Sequence, residues 1–215
     1  MPDVADRIAR QGRWRDVPTE DTSTSERIDP RVLSIALDDL LPRERVVAID
    51  SGNFMGYPSA YLAVPDELGY CMTQAFQSIG LGLATAIGAA LAQPDRLAVA
   101  ALGDGGALMS ASELETVVRL ELPMIVVVYN DAAYGAEVHH FGPEGLDLRT
   151  VVFPDTDLAA MARGIGFEAV TVRTVADLDV VRDWIAGPRR SPLLVDAKVV
   201  KDHPSWWLEE AFRGH

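Results

Sequence analysis

The sequence contains little cysteine, little positive charge and no long apolar run. A single cysteine, Cys71, allows no disulfide within the chain and excludes a Cys-rich zinc site. Lys and Arg number 19 against 32 Asp and Glu, and this net charge of −13 argues against a nucleic-acid binder and against docking on anionic membranes. The most apolar stretches, residues 79–92 and 97–102, are shorter than the roughly 20 residues that span a bilayer. No targeting segment is visible, so we expect a soluble cytoplasmic protein.

Apolar strands and helices alternate along most of the chain. Runs rich in Val, Ile, Leu and Ala show little polar alternation, which predicts strands buried on both faces, at residues 46–49, 97–102, 124–129, 169–172 and 193–198. Helices are predicted at residues 30–41, 78–91, 110–120, 157–165 and 175–186, with a last short helix around residues 206–212. This order predicts an α/β fold in which a parallel sheet carries helices on both faces.

The first 27 residues differ in composition from the rest of the chain. They are rich in Arg, acids and small polar residues, and we interpret them as an N-terminal extension or linker with a short helix around residues 4–14. We expect the main domain to comprise residues 28–215.

Acidic side chains follow two successive predicted strands. Asp104 lies in a Gly-Asp-Gly-Gly stretch after one strand, and Asp131 follows the next strand, 27 positions later. If these strands are neighbours, both loops emerge at one edge of the sheet, where parallel sheets bind ligands. Two carboxylates there supply oxygen ligands of the kind that Mg²⁺ shares with substrate phosphates. The glycines at 105 and 106 let backbone N–H groups approach an anion. The pattern predicts a metal-bridged diphosphate site.

A plainer interpretation stays open for each of these loops. A Gly-Asp-Gly tripeptide often makes only a turn, Asp104 would then cap the next helix, and Asn130 with Asp131 would form an ordinary Asx-turn. Two such loops at the ends of successive buried strands are harder to explain in this way.

These motifs resemble the C-terminal cofactor domain of the acetolactate synthase and pyruvate decarboxylase superfamily of thiamine diphosphate enzymes, over residues 28–198. The resemblance implies a thiamine diphosphate-binding fold in which Asp104, Asp131 and the main-chain carbonyl of Ala133 hold Mg²⁺ against the diphosphate. It places the backbone of Gly105 and Gly106 on the diphosphate. The same two motifs add Gly103 and Tyr134 to the cofactor-binding set.

Two further stretches carry the resemblance. Ile79 falls on the position of the apolar wedge that supports the bent cofactor, and the main chain at Gln77 would meet the 4′-amino group. An ordinary core isoleucine is the alternative for Ile79. More loosely, Ser51, Gly52 and Asn53 resemble a loop that contacts the diphosphate.

Glu137 is the one candidate catalytic residue. In pyruvate and indolepyruvate decarboxylases a glutamate at this position handles protons, whereas acetolactate synthases usually have an apolar residue there. A solvated helix glutamate is the equally weighted alternative. His139 and His140 follow, and adjacent residues on a helix point in different directions, so at most one of them faces the site.

The chain also departs from this family. Asp131 stands where the family usually has Asn, which adds negative charge beside the diphosphate. No pyrimidine-binding domain, which supplies the activating glutamate, is present, so we expect the chain to be inactive alone and to need that domain or subunit as a partner. A stripe of small residues, Gly80, Ala84 and Gly88, suggests helix packing in an oligomer.

The resemblance therefore implies a 2-oxo acid decarboxylase and carboligase of the acetolactate synthase type, a lyase or transferase with thiamine diphosphate and Mg²⁺ as cofactors. A simple 2-oxo acid decarboxylase is the alternative that Glu137 favours. A non-catalytic cofactor- or metal-binding module and a flavodoxin-like signalling domain with an acidic Mg²⁺ pocket remain as candidates from other classes.

Overall fold

A computed structural model describes Val4, residues 12–73 and residues 78–212 of the chain. Within them one sheet is formed by β1 (Arg45–Ile49), β2 (Tyr70–Met72), β3 (Leu97–Gly103), β4 (Ile125–Asn130), β5 (Glu168–Val172) and β6 (Leu193–Lys198). The strands lie in the order β2-β1-β3-β4-β6-β5, and every pairing between them is parallel. The prediction of an α/β fold with a parallel sheet is confirmed.

Helices cover both faces of the sheet. They are α1 (Pro30–Leu40), α2 (Gly56–Tyr61), α3 (Gly82–Ala92), α4 (Asp104–Met109), α5 (Glu113–Arg119), α6 (Gly135–Phe141), α7 (Leu158–Ile165), α8 (Asp179–Ala186) and α9 (Trp206–Phe212). Short 3-10 turns occur at Trp14–Asp16, Asn53–Met55, Glu67–Gly69 and Val175–Leu178. Across the described part of the chain, every helix is too short or too polar to cross a membrane.

The core is split into two apolar layers by the sheet. On β1, Val47 points into the layer that contains Leu33 of α1, whereas its neighbour Val46 points into the layer that contains Leu83 of α3. Successive side chains of a strand point to opposite faces, so both must be apolar when helices cover both sides. This double burial explains why the strands appear in the sequence as continuous apolar runs.

Two predicted helices begin elsewhere in the structure. The helix predicted from residue 78 begins at Gly82, because Gly80 has a φ of +94° and its N–H donates to Asp50 Oδ2 at 2.8 Å. The helix predicted at residues 110–120 corresponds to α5 (Glu113–Arg119), and a separate helix that was not predicted, α4 (Asp104–Met109), begins directly after β3, with a break between the two at residues 110–112. The break begins at Ser110, whose hydroxyl donates to the Gly106 carbonyl at 2.8 Å.

Besides α4, three short elements were not predicted from the sequence. Strand β2 has three residues, which is too few to show a period, and it pairs with β1 at the edge of the sheet. Helices α2 and α6 have six and seven residues and no extended apolar stripe. Elements this short carry little local periodicity.

The described part of the N-terminal extension lies against the main domain. The Arg15 guanidinium contacts Asp38 and Asp39 of α1 at 2.9 and 2.7 Å. The ring of Trp14 stacks on Trp206 of α9 with 4.8 Å between centroids. The helix predicted around residues 4–14 lies almost entirely outside the described residues, and the boundary at residue 27 stays a prediction.

The topology places a crevice at the carboxyl ends of β1, β3 and β4. From β1 the chain goes to β2 on one side, then crosses over to β3 on the other side of β1. Open α/β sheets bind ligands at such a switch point, outside the carboxyl ends of the strands. The loops after these three strands, and the turn that precedes α3, are therefore the segments in which to look for a site.

Two glycines of α3 provide a test of this packing. A Cβ at Gly82 would lie 2.5 Å from Asp50 Cβ, whereas one at Gly88 would meet nothing within 4 Å. We expect Gly82→Ala to lower the free energy of unfolding by about 1–3 kcal/mol through overpacking. Gly88→Ala is the matched control, and it should raise that free energy by about 0.5–1 kcal/mol through helix propensity. Urea unfolding measures both, and equal effects would contradict the packing of α3 on Asp50.

Candidate functional site

Asp104 and Asp131 meet at the ends of two neighbouring strands. Asp104 is the first residue of α4, directly after β3, and Asp131 is the first residue after β4. Because Gly103 pairs with Tyr129, the two strands end side by side. The two carboxyl groups lie close enough to interact, as expected if the loops leave one edge of the sheet.

The aspartate pair is held out of water. Asp104 is 4% exposed and Asp131 8% exposed. Burial raises the pKa of the Asp104 carboxyl, and the charge of Asp131 raises it further. Burial also raises the pKa of Asp131. Two carboxylates in one buried place repel each other, so the site is stabilised by a shared proton or by a bound cation.

Backbone strain shapes the loop that follows Asp131. Ala132 has a φ of +60°, a left-handed conformation that costs an alanine about 1 kcal/mol or more. Its N–H donates to Asn130 Oδ1 at 3.1 Å, and its carbonyl accepts from the amide of Phe153 at 2.8 Å. The amide of Tyr134 donates to the Val151 carbonyl at 2.8 Å. None of these bonds uses the carbonyl of Ala133, the predicted main-chain metal ligand.

Asn130 anchors the same loop to the sheet. Its Nδ2 donates to Oδ1 of the fully buried Asp196 on β6 at 2.8 Å. The other oxygen of Asp196 accepts from the amide of Leu158 at 3.1 Å and lies 3.1 Å from Lys198 Nζ. The first residue of the Asn-Asp pair is thus a structural anchor, and the second supplies the carboxylate.

Glycines 105 and 106 are required by close side-chain packing. A Cβ at Gly105 would lie 2.3 Å from the ring of Tyr134, and one at Gly106 would lie 2.4 Å from Asp50 Oδ2. The sequence suggested that these glycines leave room for an anion at the backbone. The structure adds that the space beside their Cα atoms is filled by Tyr134 and Asp50.

Asp50 is a site residue that the sequence analysis missed. This buried carboxylate accepts hydrogen bonds from the amides of Ser51 at 2.9 Å and Gly80 at 2.8 Å. Burial raises its pKa despite those bonds. Asp50 therefore ties together the loop after β1, the turn that carries Ile79 and the start of α4. An acid placed directly after a buried strand is the signal that could have revealed it.

One open cavity collects the predicted residues. Its walls include the predicted site residues Ser51, Gly52, Asn53, Ile79, Gly103, Asp104, Gly105, Gly106, Asp131, Ala133, Tyr134 and Glu137. The remaining one, Gln77, lies outside the described residues. The walls also contain Phe54, Tyr129, Gly135 and Ala136, which the sequence analysis did not single out. The cavity combines an acidic end with an apolar wall.

Glu137 and the two histidines after it lie in different places. Glu137, in the first turn of α6, is part of the cavity wall. His139 lines a second cavity with Lys201 and Asp202, and this cavity shares Asp131 and Ala133 with the first. Burial lowers the pKa of His139. Neither histidine lines the cavity that holds the aspartate pair.

The donor set fits a cation that brings part of its own coordination shell. Among the described residues, no group of three or more His, Cys, Asp or Glu side chains could hold a metal ion. The site offers two carboxylates, Asp104 and Asp131, and the carbonyl of Ala133. Mg²⁺ typically uses one or two protein carboxylates and completes its octahedron with water and phosphate oxygens. The buried repulsive pair and this short set of oxygens fit Mg²⁺ shared with a diphosphate.

Comparison with known proteins gives a family match. Residues 50–197 match the family model of the thiamine pyrophosphate enzyme C-terminal TPP binding domain. The chain is 30% identical to an acetolactate synthase of Bacillus subtilis over 176 residues, which cover 81% of this chain and 30% of that protein. It is 29% identical to a pyruvate oxidase of Lactiplantibacillus plantarum, over 79% of this chain and 28% of that protein. The chain thus spans less than a third of the length of these relatives.

A solved structure supports the same fold. The thiamine diphosphate-dependent 4-hydroxybenzoylformate decarboxylase of Rhodococcus jostii RHA1 superposes with a TM-score of 0.76 at 22% sequence identity. The match covers 86% of this chain and 35% of that chain. At this identity the similarity concerns the fold alone.

The aspartate pair predicts an unusual pH dependence of stability in the presence of a chelator. Because the carboxyl pKa values are raised, the folded state binds more protons than the unfolded state. The pair therefore makes the folded chain less stable as pH rises. Between about pH 4 and neutral pH, we expect the free energy of unfolding of the parent chain to fall relative to that of Asp131→Asn. The expected relative fall is at least about 1.4 kcal/mol, the equivalent of one pKa unit. Urea unfolding in EDTA measures this difference. Parallel curves for the two chains would show that the carboxyls do not interact.

Proposed function

This chain belongs to the thiamine pyrophosphate enzymes as a C-terminal TPP-binding domain, and on that premise we propose that it anchors thiamine diphosphate through Mg²⁺ in an enzyme acting on 2-oxo acids. The observation that carries the proposal is the buried pair of Asp104 and Asp131 at the ends of β3 and β4. The pair lies in the same cavity as Ile79 and the glycines of α4. A family domain that retains this cavity has the parts needed to hold the cofactor.

Each end of the cavity has a separate role in this proposal. Asp104, Asp131 and the Ala133 carbonyl hold Mg²⁺, and the metal offsets the repulsion between the two carboxylates and a diphosphate. Ile79 is fixed beside Gly106, where its side chain supports the bent shape of the cofactor. When bound, thiamine diphosphate supplies the carbon nucleophile that attacks a ketone and accepts the electrons left when CO₂ departs.

Glu137 is proposed as the proton-handling residue. It lies in the cavity wall rather than on the outer face of α6, which supports a role in the reaction over that of a solvated helix residue. A glutamate here would hold or deliver a proton inside the cavity. This position supports the simple decarboxylase as a second candidate beside the acetolactate synthase-like carboligase.

The proposal includes a partner domain and an oligomer. Because the chain spans less than a third of its relatives, the pyrimidine-binding domain of the family must come from another chain or from a longer form of this one. That domain would supply the glutamate that activates the aminopyrimidine. Of the predicted stripe of small residues, Gly80 precedes α3. The exposed face of this helix, which includes Ala84, Gly88 and Leu91, is apolar and would pack in such an assembly.

Ligand synergy tests the proposal. We expect the melting temperature of the chain to rise modestly with Mg²⁺ alone, little with thiamine diphosphate alone, and by more than the sum with both. The physical reason is that the metal bridges the carboxylates to the diphosphate, so each ligand strengthens binding of the other. Additive shifts would contradict a shared site, and a shift with both ligands equal to that with Mg²⁺ alone would favour a metal-binding module without a cofactor.

Substitutions of the aspartate pair test the ligand assignment by calorimetry. Asp104→Ala should abolish Mg²⁺-dependent binding of thiamine diphosphate and leave the chain folded. Asp131→Asn keeps an oxygen ligand and removes one charge, which at about 5 Å and an effective dielectric near 20 interacts by roughly 3 kcal/mol with a diphosphate charge. Because Mg²⁺ offsets most of that repulsion, this variant should bind as well as the parent or slightly better. Asp131→Ala should bind much more weakly, and parental affinity in this variant would remove Asp131 from the site.

Glu137→Gln tests the proton-handling role. In the enzyme reconstituted with its pyrimidine-binding domain, we expect turnover to fall by about 10²-fold or more while cofactor affinity changes little, since only the acid is removed. Glu115→Gln, on the exposed face of α5, is the control. Equal turnover in the parent and Glu137→Gln would leave Glu137 as a solvated helix residue.

A further inference from the structure

The C-terminal segment, residues 204–212, contacts a wall of the cofactor cavity. The backbone amide of Ser205 donates to the side-chain oxygen Oδ1 of Asn53 at 3.1 Å. The indole N–H of Trp207 donates to the main-chain carbonyl of Asn53 at 3.2 Å. Two donors of the segment therefore converge on one residue of the cavity wall.

These contacts determine which end of the Asn53 amide faces the cavity. An N–H donor requires an acceptor, so the end that faces Ser205 must be Oδ1. The other end, Nδ2, lies beside Gly135 and Asp131: a Cβ at Gly135 would be 3.2 Å from Nδ2 and 2.3 Å from Asp131 Oδ2. Asn53 thus presents N–H donors toward the end of the cavity that carries the aspartate pair.

The segment is packed closely enough to fix this geometry. Ser205 is fully buried, and Leu208 is almost so. A Cβ at Gly56, three residues after Asn53, would lie 2.2 Å from the Trp207 ring. The segment therefore leaves Asn53 little freedom to turn its amide round.

We propose that the C-terminal segment is a positioning element for anion binding, in which Ser205 and Trp207 hold Asn53 so that its amide N–H groups meet the diphosphate. This inference rests on the proposed function, since the diphosphate is the anion. The segment lies outside residues 50–197, the part that matches the family model. Neither Ser205 nor Trp207 lines the cavity, so both act through Asn53.

Paired substitutions at Ser205 isolate the amide donor. Ser205→Pro removes the N–H, whereas Ser205→Ala keeps it and removes only a buried hydroxyl that has no hydrogen-bond partner among the described residues. The probe is inorganic pyrophosphate in the presence of Mg²⁺, titrated into the full chain by calorimetry. We expect Ser205→Pro to bind pyrophosphate about tenfold more weakly and Ser205→Ala to bind like the parent. Binding of Mg²⁺ alone should stay unchanged in both, because Asp104 and Asp131 are untouched.

Substitutions of Asn53 test the orientation without altering the segment. Asn53→Asp keeps an oxygen for Ser205 but turns an anionic oxygen toward the diphosphate, so it should weaken pyrophosphate binding more than Asn53→Ala does. In the Asn53→Ala background, Ser205→Pro should cause no further loss, because the effect of the segment passes through Asn53. Trp207→Phe removes the indole N–H and keeps a ring against Gly56, and it should cause a smaller loss than Ser205→Pro.

The outcomes separate this inference from the proposed function. If the parent binds pyrophosphate and the Ser205→Pro and Ser205→Ala variants bind it with equal affinity, the positioning role is overturned and the proposed function stands. An Asn53→Asp variant that binds pyrophosphate as tightly as the parent also overturns the positioning role. A folded Ser205→Pro variant that loses Mg²⁺ and pyrophosphate binding equally overturns it too, because that result would indicate a general structural role. If Ser205→Pro does not fold, Asn53→Asp and Trp207→Phe decide the question. Absence of Mg²⁺-dependent pyrophosphate binding in the parent overturns the proposed diphosphate site, and this inference with it.

Discussion

Asp104 and Asp131 are held beside each other, out of water, by the pairing of β3 with β4. The sheet register fixes where both strands end, and the carboxyls cannot separate without breaking that register. Burial and mutual repulsion raise the pKa of Asp104, and burial raises that of Asp131, so the folded chain carries an electrostatic cost at neutral pH. A site that is unfavourable when empty favours a cation that neutralises it, and such a cation in turn attracts an anion. The organisation of the cavity follows from this constraint.

The segments around the pair are joined by polar side chains that connect separate parts of the chain. Asp50 links the loop after β1 to the turn at Gly80, and Asn130 links the loop after β4 to Asp196 on β6. Asn53 receives donors from the C-terminal segment. Short loops of this kind have little apolar area to bury, so hydrogen bonds to buried acids and amides hold them in place. The left-handed Ala132 shows that the fold accepts local strain to complete the arrangement.

The sequence predicted most of the fold and a large part of the cavity wall. Strands buried on both faces must be continuously apolar, and the spacing of Asp104 and Asp131 reflects one strand-helix-strand unit, so both features are visible in a single chain. The start of α3 was wrong, because the contact of Gly80 with Asp50 delays that helix to Gly82, and α4 was not predicted, because it begins in a glycine-rich stretch that packs against Tyr134 and Asp50. The three-residue β2 has no period to detect.

The sequence by itself determined the parallel sheet, the two aspartates at neighbouring strand ends and the family to which the domain belongs. These depend on residue type and on spacing along the chain, which local patterns record. The tertiary structure decided that Asp50 joins three segments, that Asn130 anchors while Asp131 faces the cavity, and that Ser205 orients Asn53 across 152 positions of sequence. Such roles depend on which groups the fold brings within hydrogen-bond distance, and no local pattern in the chain carries that information.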